Sequence, residues 1–129
     1  MIRRYEPSPV VFDYGRTYYL SGPMSGYPAY NYPAFHAAAH ELRISGIKIE
    51  SPAENPWPKD PENYTEEQFW HYRMELSLAQ MHRCQGIILL QGWPYSRGAR
   101  IELDVMAKRK LPVWYYNNWS LVRMGVSDG

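Results

Sequence analysis

The fold is decided by residues 87–112, IILLQGWPYSRGARIELDVMAKRKLP. Residues 87–90 form an apolar run, which predicts a buried strand. A turn containing Gly92 and Pro94 follows, and Ser96 is a residue type that caps the amino end of a helix. A strand that leads through a tight loop into a helix is the repeating unit of an open α/β sheet, in which ligands bind outside the carboxyl ends of the strands.

The start of the predicted helix has the features of an anion site. Its first backbone N–H groups have no partner within the helix, and the helix dipole favours negative charge there. Glu102 follows in the second turn, where its carboxylate can face a ligand held by the loop. These features predict a small phosphorylated or sugar-bearing ligand. From the residues alone, a solvated surface glutamate paired with Arg97 or Arg100 is the simpler explanation of Glu102, since surface glutamates are common.

The rest of the chain alternates strands and helices. Strands are predicted over residues 17–21, 47–50, 87–91 and 111–116. Helices are predicted after Asn31, with Pro33 in the first turn, after Thr65 and after Ser96. Such alternation implies a parallel sheet with right-handed crossovers. We therefore expect one α/β domain over residues 1–129, with a parallel sheet of four to five strands, helices on both faces and a flavodoxin-like strand order.

The spacing of apolar residues predicts which side of each helix is buried. In the first helix these residues are Phe35, Ala38, Ala39 and Leu42. In the second helix, which begins with a capping-box pattern, they are Phe69, Tyr72, Leu76 and Ala79. In the third helix they are Ile101, Val105 and the stem of Lys108.

The composition argues against several classes of protein. A net charge of +1 gives no indication of a nucleic-acid polymer or an anionic membrane surface as partner. No apolar run is long enough to cross a membrane, and the single cysteine, Cys84, fits a reducing cytoplasm. No P-loop or Gly-x-Gly-x-x-Gly pattern supports an ATP or dinucleotide cofactor. His36 and His40 lie one turn apart without a third ligand, so no metal site is expected. Residues 1–15 are expected to form an irregular arm.

Two segments carry a family resemblance: YYLSGPM at residues 18–24 and GWPYSRGARIE at residues 92–102. Over about residues 18–112 the chain resembles the nucleoside 2-deoxyribosyltransferase-like superfamily, in particular the small phage and bacterial proteins of unknown function grouped with it. The resemblance implies cleavage or transfer at the N-glycosidic bond of a nucleoside or its 5′-monophosphate. The implied route is a double displacement through a covalent glycosyl-enzyme, with no metal or organic cofactor.

The resemblance also assigns roles to single residues. It makes Glu102 the nucleophile and puts a first-strand tyrosine, matched here by Tyr19, beside it. Relatives often carry an acid, usually Asp, on the helix before the third strand. In this chain the family spacing falls nearer Ser77, and the closest acid is Glu75. Many relatives also have Asp where this chain has Gly86, so Glu75 is the remaining candidate for the acid that orients the nucleophile or protonates the leaving base.

The expected substrate contacts lie in the loops after the first and third strands: Ser21, Gly22, Pro23, Met24, Gly92, Trp93, Ser96, Arg97 and Gly98. In relatives that act on nucleotides, a serine of the second loop contacts the 5′-phosphate, and Ser96 matches it. A plain helix cap at Ser96 and a surface charge at Arg97 explain the same residues without a ligand. For Tyr19, packing within the sheet is the alternative.

Two other functions stay open beside the enzyme. One is a protein that holds a nucleotide-derived ligand in the same crevice without turnover, which the missing acids at Ser77 and Gly86 favour. The other is an interaction module that uses its aromatic surface, since the chain has twelve tyrosines and five tryptophans. These aromatics, and a Pro-rich loop over residues 51–64 with no obvious core role, predict a homo-oligomer with the crevice near or across a subunit boundary. Asn117 or Asn118 would then reach the neighbouring site.

Overall fold

The computed structural model describes residues 11–125 and contains one five-stranded sheet with three α-helices. The strands are β1 (Thr17–Ser21), β2 (Lys48–Glu50), β3 (Gly86–Leu89), β4 (Val113–Asn117) and β5 (Ser120–Met124). The helices are α1 (Tyr32–Ile44), α2 (Glu66–Met81) and α3 (Arg97–Lys108). The strand order is β2-β1-β3-β4-β5. Within residues 11–125, no helix has the length and apolarity needed to span a membrane.

The sheet is mixed, because its last strand runs against the others. The pairs β1–β2, β1–β3 and β3–β4 are parallel, as predicted, but β4 and β5 are antiparallel. A turn of two residues, Asn118 (φ 45°) and Trp119 (φ 72°), joins these two strands. Parallel neighbouring strands need a crossover connection of about a dozen residues or more. A turn of two residues therefore permits only an antiparallel pair. The prediction of a wholly parallel sheet is therefore wrong at β5.

Side chains alternate between the two faces of the sheet, and the tyrosine pair in β1 makes this clear. Tyr18 belongs to the cluster that α1 covers, and Tyr19 to the cluster beneath α2 and α3. Phe12, from the predicted arm, stacks on Tyr18 with ring centroids 4.7 Å apart, while residues 1–10 lie outside the described part. The predicted α1 stripe is confirmed, because Phe35, Ala38, Ala39 and Leu42 are all buried. Helices thus cover both faces, as expected.

The start of α1 differs from its prediction. Asn31 has a left-handed backbone (φ 61°) and its side chain makes no capping hydrogen bond. Its amide Nδ2 instead donates to the carbonyl oxygen of Pro23 at 2.9 Å. Asn31 therefore ties the loop after β1 to the beginning of α1, and this contact fixes one edge of the cavity described below.

Helix α2 begins as predicted but buries a different side. The hydroxyl of Thr65 accepts from the Gln68 N–H at 3.1 Å, and the Gln68 side chain accepts from the Thr65 N–H at 2.9 Å, so the capping box is confirmed. The buried residues are Phe69, Met74, Ser77, Gln80 and Met81. Ala79 is exposed, and Tyr72 and Leu76 are only half-buried. The apolar pattern fails here because polar side chains with internal partners occupy the inner side; Gln80, for example, donates to the Ser51 carbonyl at 3.0 Å.

Helix α3 is rotated relative to its prediction in the same way. Ser96 caps it as expected, accepting from the Ala99 N–H at 3.1 Å. The buried residues, however, are Ala99, Glu102 and Met106, whereas Ile101 is exposed. Val105 is half-buried and Lys108 is exposed. A carboxylate thus takes the central inward position that the apolar pattern gave to Ile101.

The turn from α2 into β3 packs two small residues tightly. Cys84 is fully buried, and this burial raises the pKa of its thiol to about 12. A Cβ atom on Gly86, the first residue of β3, would lie 2.5 Å from ring carbons of Tyr18, so only glycine fits at this position. Gly86 therefore packs on the Tyr18 ring, which belongs to the α1 side of the sheet.

Candidate active site

A buried carboxylate lies where β1 and α3 meet on the α2–α3 side of the sheet. Glu102 is only 5% exposed. The Tyr19 hydroxyl donates to its Oε2 at 2.8 Å, and the Ser21 hydroxyl donates to its Oε1 at 2.6 Å. Tyr19 and Ser21 can both reach Glu102 because residues two apart in a strand point to the same face. Hydrogen bonds to both oxygens fix the orientation of the carboxylate.

The environment of Glu102 sets its protonation. Burial raises its pKa from 4.5 to about 7. Hydrogen bonds from Ser21 and Tyr19, the nearby Ser77 hydroxyl and the positive charge of Arg73 each lower this pKa, but together they offset only part of the desolvation. Burial, and then the charge of Glu102, raise the pKa of Tyr19 well above its ordinary value, so the phenol stays protonated and donates. Glu102 therefore changes between its acid and carboxylate forms near neutral pH.

Glu102 lies in the wall of a cavity of about 380 Å³. Ligand pockets usually measure roughly 300–1,000 Å³, so a nucleoside-sized molecule fits. The lining residues come from five segments of the chain, within 22–27, 32–35, 52–57, 66–77 and 95–102, and only some residues of each segment face the cavity. Gly22 lets the β1 loop pass close to the end of β3, since a Cβ there would lie 2.9 Å from the Cβ of Leu90. The cavity thus opens at the carboxyl edge of the sheet, where the sequence predicted a crevice.

Aromatic rings form much of the cavity wall: Tyr27, Tyr32, Phe35, Trp57, Phe69, Trp70 and Tyr95. Trp57 packs against Phe69 and Tyr30, with ring centroids 5.0 and 5.7 Å apart. The Pro-rich loop, for which no core role was expected, therefore supplies part of this wall. Flat apolar walls of this kind suit a planar ring system.

The start of α3 forms another part of the wall. Ser96 and Gly98 line the cavity there, as predicted. The guanidinium of Arg97 makes two hydrogen bonds of 3.1 Å to Glu67 and stacks 3.6 Å from the ring centroid of Trp70. A phosphate at this helix start would meet an arginine that already has a carboxylate partner.

Comparison with known proteins places the chain in a family. The family model described as a domain of unknown function (DUF4406) matches residues 16–115, which is most of the chain. The chain belongs to the DUF4406 family. Searches of curated proteins and of solved structures gave no significant match. The matched region of DUF4406 runs from β1 to β4 and contains Tyr19, Ser21 and Glu102.

In this DUF4406 chain, most of the predicted site residues meet at one cavity. Tyr19 and Ser21 bind Glu102 directly, but both are fully buried and neither lines the cavity, so the prediction of Ser21 as a substrate contact is wrong and Ser21 positions Glu102 instead. The cavity is lined by Gly22, Pro23, Met24, Ser96, Arg97 and Gly98. Arg100, considered beside Arg97, is exposed and does not line the cavity. The loops after β1 and β3 therefore converge as expected from a parallel pair of strands.

Three predicted residues lie elsewhere in the DUF4406 domain. Glu75 is exposed on α2 and does not line the cavity. Ser77, two residues further along the helix, faces Glu102 instead, because positions two apart on a helix point in different directions. Gly92 and Trp93 line a separate apolar hollow with Tyr115 and neighbouring residues. Their loop turns away from the cavity at Gly92, whose backbone is left-handed (φ 89°).

Sequence reasoning missed Arg73, which lines the DUF4406 cavity from α2. Its Nη2 donates to the Ser25 hydroxyl at 2.9 Å, and its guanidinium lies over the rings of Tyr30 and Phe69. One sequence signal could have found it: Arg73 is one turn after Phe69 and one turn before Ser77, on the same side of a capped helix.

Proposed function

We propose that this protein cleaves or transfers the N-glycosidic bond of a nucleoside or nucleoside 5′-monophosphate, with Glu102 as nucleophile. The observation that carries the proposal is a buried carboxylate, hydrogen-bonded through both oxygens by Tyr19 and Ser21, in the wall of a nucleoside-sized cavity with aromatic sides. Neither an exposed helix glutamate nor an ion pair explains that burial, because no salt bridge within residues 11–125 includes Glu102.

The reaction is a double displacement. A carboxylate oxygen of Glu102 forms a bond to C1′ as the C1′–N bond breaks, and the electron pair of that bond leaves with the base. Water or a second base then attacks C1′ and releases Glu102, so the configuration at C1′ is retained. Tyr19 and Ser21 hold the carboxylate in one orientation throughout. These steps use side chains alone and need no cofactor.

The resemblance to the nucleoside 2-deoxyribosyltransferase-like superfamily supports this reaction. So does the strand order, which is compatible with flavodoxin-like winding, where ligands bind at the reversal beside β1 and β3. We also propose a cytoplasmic location, since the single cysteine is a free thiol.

Base release tests the proposal directly. The protein is incubated with a mixture of nucleosides and nucleoside 5′-monophosphates, and free bases are separated by chromatography. We expect release by the parent protein and a loss of at least about a thousandfold in Glu102→Gln, since the amide cannot form the glycosyl ester. Glu75→Gln is the matched control, because Glu75 is exposed and outside the cavity. Unchanged release by Glu102→Gln contradicts the double displacement.

We propose that the 5′ end of the ligand lies at the start of α3, near Ser96 and Gly98. A 5′-monophosphate should then bind more tightly than its nucleoside, and Ser96→Ala should narrow the difference. Glu67→Gln should widen it, because Arg97 loses its carboxylate partner and becomes available to the phosphate. Calorimetry on Glu102→Gln protein measures both ligands without turnover. Equal affinity of the parent cavity for nucleoside and monophosphate removes the phosphate contact from the proposal.

Ligand binding without turnover is the second candidate function. The observation that favours it is Ser77, a hydroxyl at the place where an acid would protonate the leaving base. A thermal-shift panel separates the candidates: stabilisation by nucleotides without any released base supports a binding protein. No stabilisation by any nucleotide favours the interaction module.

We propose a homo-oligomer on the strength of the exposed aromatics. Tyr95 is 92% exposed and Trp119 is 72% exposed. Tyrosine and tryptophan are enriched in subunit contacts. Asn117 and Asn118, at the hairpin between β4 and β5, would lie at such a contact. Light scattering at micromolar concentration is the test, and a monomer mass with full activity contradicts the proposal.

A further inference from the structure

Arg73 provides a positive charge in the cavity and forms no ion pair within the described part of the chain. It lies on α2, one turn before Ser77, and is half-buried. Its guanidinium carbon is 5.1 Å from the ring centroid of Tyr30 and 5.2 Å from that of Phe69. Within residues 11–125, no carboxylate lies at ion-pair distance from it.

The hydrogen bonds of Arg73 are also incomplete. An arginine has five N–H donors and no acceptor. In Arg73, Nη2 donates to the Ser25 hydroxyl at 2.9 Å, whereas within residues 11–125 Nη1 has only the weak thioether acceptor of Met24 at 3.3 Å. Its buried Nε has no acceptor in the described part of the chain. A ligand oxygen at Nη1 would replace the weak thioether acceptor with a stronger one, whereas the buried Nε is out of a ligand's reach.

Arg73 belongs to the wall that would contact the base rather than the sugar. On α2, Trp70 and Met74 point to the start of α3, since a Cβ on Gly98 would lie 3.8 Å from the Trp70 nitrogen and 3.3 Å from the Met74 sulfur. Arg73 points instead to the β1 loop and the aromatic rings. With C1′ at Glu102 and the 5′ end at α3, the base lies towards Arg73.

We infer that Arg73 donates a hydrogen bond to an oxo oxygen of the base and stabilises the negative charge of the base as it departs. The inference rests on the proposed function and specifies its substrates: bases with an oxo group, such as uracil or hypoxanthine, in preference to adenine. An amino group at the same position presents N–H donors to a residue that has only donors, which is unfavourable.

Stabilisation of the negative charge on the departing base explains how the reaction proceeds although Ser77 stands where an acid would protonate that base. As Glu102 bonds to C1′, the electron pair of the C1′–N bond moves onto the base and spreads to its oxo oxygen. Arg73 lies beside that oxygen, so the base departs as an anion and takes a proton from water afterwards. No side chain has to protonate the base first.

Leaving-group kinetics test this role. Base release is compared for the nucleosides of uracil and 5-fluorouracil, whose fluorine already stabilises the departing anion. Arg73→Gln should slow uracil release by about a hundredfold and 5-fluorouracil release much less. Arg73→Lys, which keeps the positive charge, should recover part of the lost rate of uracil release. Arg100→Gln, which changes an exposed arginine outside the cavity, is the control. Equal losses for both nucleosides overturn the inference, because a merely structural change would slow both alike.

Binding separates this inference from the proposed function. Inosine and adenosine differ at position 6, oxo against amino, and in the proton on the adjacent N1, and calorimetry on Glu102→Gln protein compares them without turnover. Tighter binding of inosine that disappears when Arg73→Gln is added supports the contact, and equal binding of the two overturns it. If the parent releases no base from any nucleoside while inosine binding still depends on Arg73, the proposed function and the charge-stabilising step fail and the contact stands. If neither purine nucleoside binds and the parent releases no base from any nucleoside or monophosphate, uracil included, both proposals fail.

Discussion

The two faces of the sheet bury different kinds of side chain. Beneath α1 the core is apolar, from Tyr18 and Leu20 in the sheet to Phe35 and Leu42 in the helix. On the α2–α3 side, buried polar groups lie among the apolar ones: Ser21, Ser77, Gln80 and Glu102. Burying polar groups costs free energy unless each has partners, so they are concentrated where hydrogen bonds can be built around them. The α1 face therefore has a cluster without a buried carboxylate, whereas the α2–α3 face adds the desolvation cost of Glu102 to an apolar cluster of its own.

Leu42→Ala, on the α1 side, should give the largest change. Leu42 is buried in the apolar cluster and does not line the cavity. Removing it should lower the free energy of unfolding by about 2–5 kcal/mol, measured by urea denaturation. Base release per folded molecule should not change. Ile44→Ala, at an exposed position of the same helix, is the control and should cost less than about 0.5 kcal/mol. A similar cost for both variants would mean that the α1 side does not provide most of the stability.

Glu102→Gln, on the opposite face, should stabilise the protein at high pH. The folded-state pKa of Glu102 is about 7, above its ordinary 4.5, so the folded protein binds the extra proton between these values. The free energy of unfolding of the parent should therefore fall as pH rises through that window, by up to about 3 kcal/mol. Urea denaturation should find the variant more stable at pH 8 and the two proteins alike near pH 4.

Glu75→Gln removes a carboxylate from the exposed side of α2 and is the control for that measurement. A stability difference between Glu102→Gln and the parent that is the same at pH 4 and pH 8 would show that Glu102 does not bear the cost of burial.

Tyr19→Phe should have the smallest of these effects, which is a shift in the pKa of Glu102. The Tyr19 hydroxyl stabilises the ionised form of Glu102 through a 2.8 Å hydrogen bond. Its removal should raise the pKa of Glu102 by about one unit, since hydrogen bonds to charged groups contribute about 1.5–3 kcal/mol and Ser21 remains. NMR of the labelled Glu102 carboxyl carbon measures the midpoint. Tyr18→Phe is the matched control on the opposite face, where the hydroxyl donates to the Asp13 carbonyl; a shift of equal size there would contradict the assignment.

The sequence predicted the order of elements from β1 to β4, but not β5, because that order depends on local signals. The capping box at Thr65, the cap at Ser96 and the apolar runs of β1 and β3 each act within a few residues. The pairing of Tyr19 with Glu102 was implied by the superfamily resemblance, and Ser21 joins them because residues two apart in a strand point to the same face.

The buried sides of α2 and α3 could not be predicted from apolar spacing. Ser77, Gln80 and Glu102 are polar, and they are buried because partners distant in the sequence satisfy them. Glu102, for example, receives hydrogen bonds from residues 81 and 83 positions earlier. The same limitation hid Arg73, while the left-handed turn at Gly92 carried Trp93 away from the cavity in which it was expected.

The burial of Cys84 has a practical consequence for labelling. Reagents that modify cysteine react with the thiolate, and a thiol that is fully buried with a pKa of about 12 is both inaccessible and protonated at working pH. Since it is the single cysteine of the chain, a second one introduced at the exposed Tyr95 would be the unique site for a maleimide fluorophore. Tyr95 lies at the rim of the cavity, so such a dye would report ligand entry without removal of the native thiol.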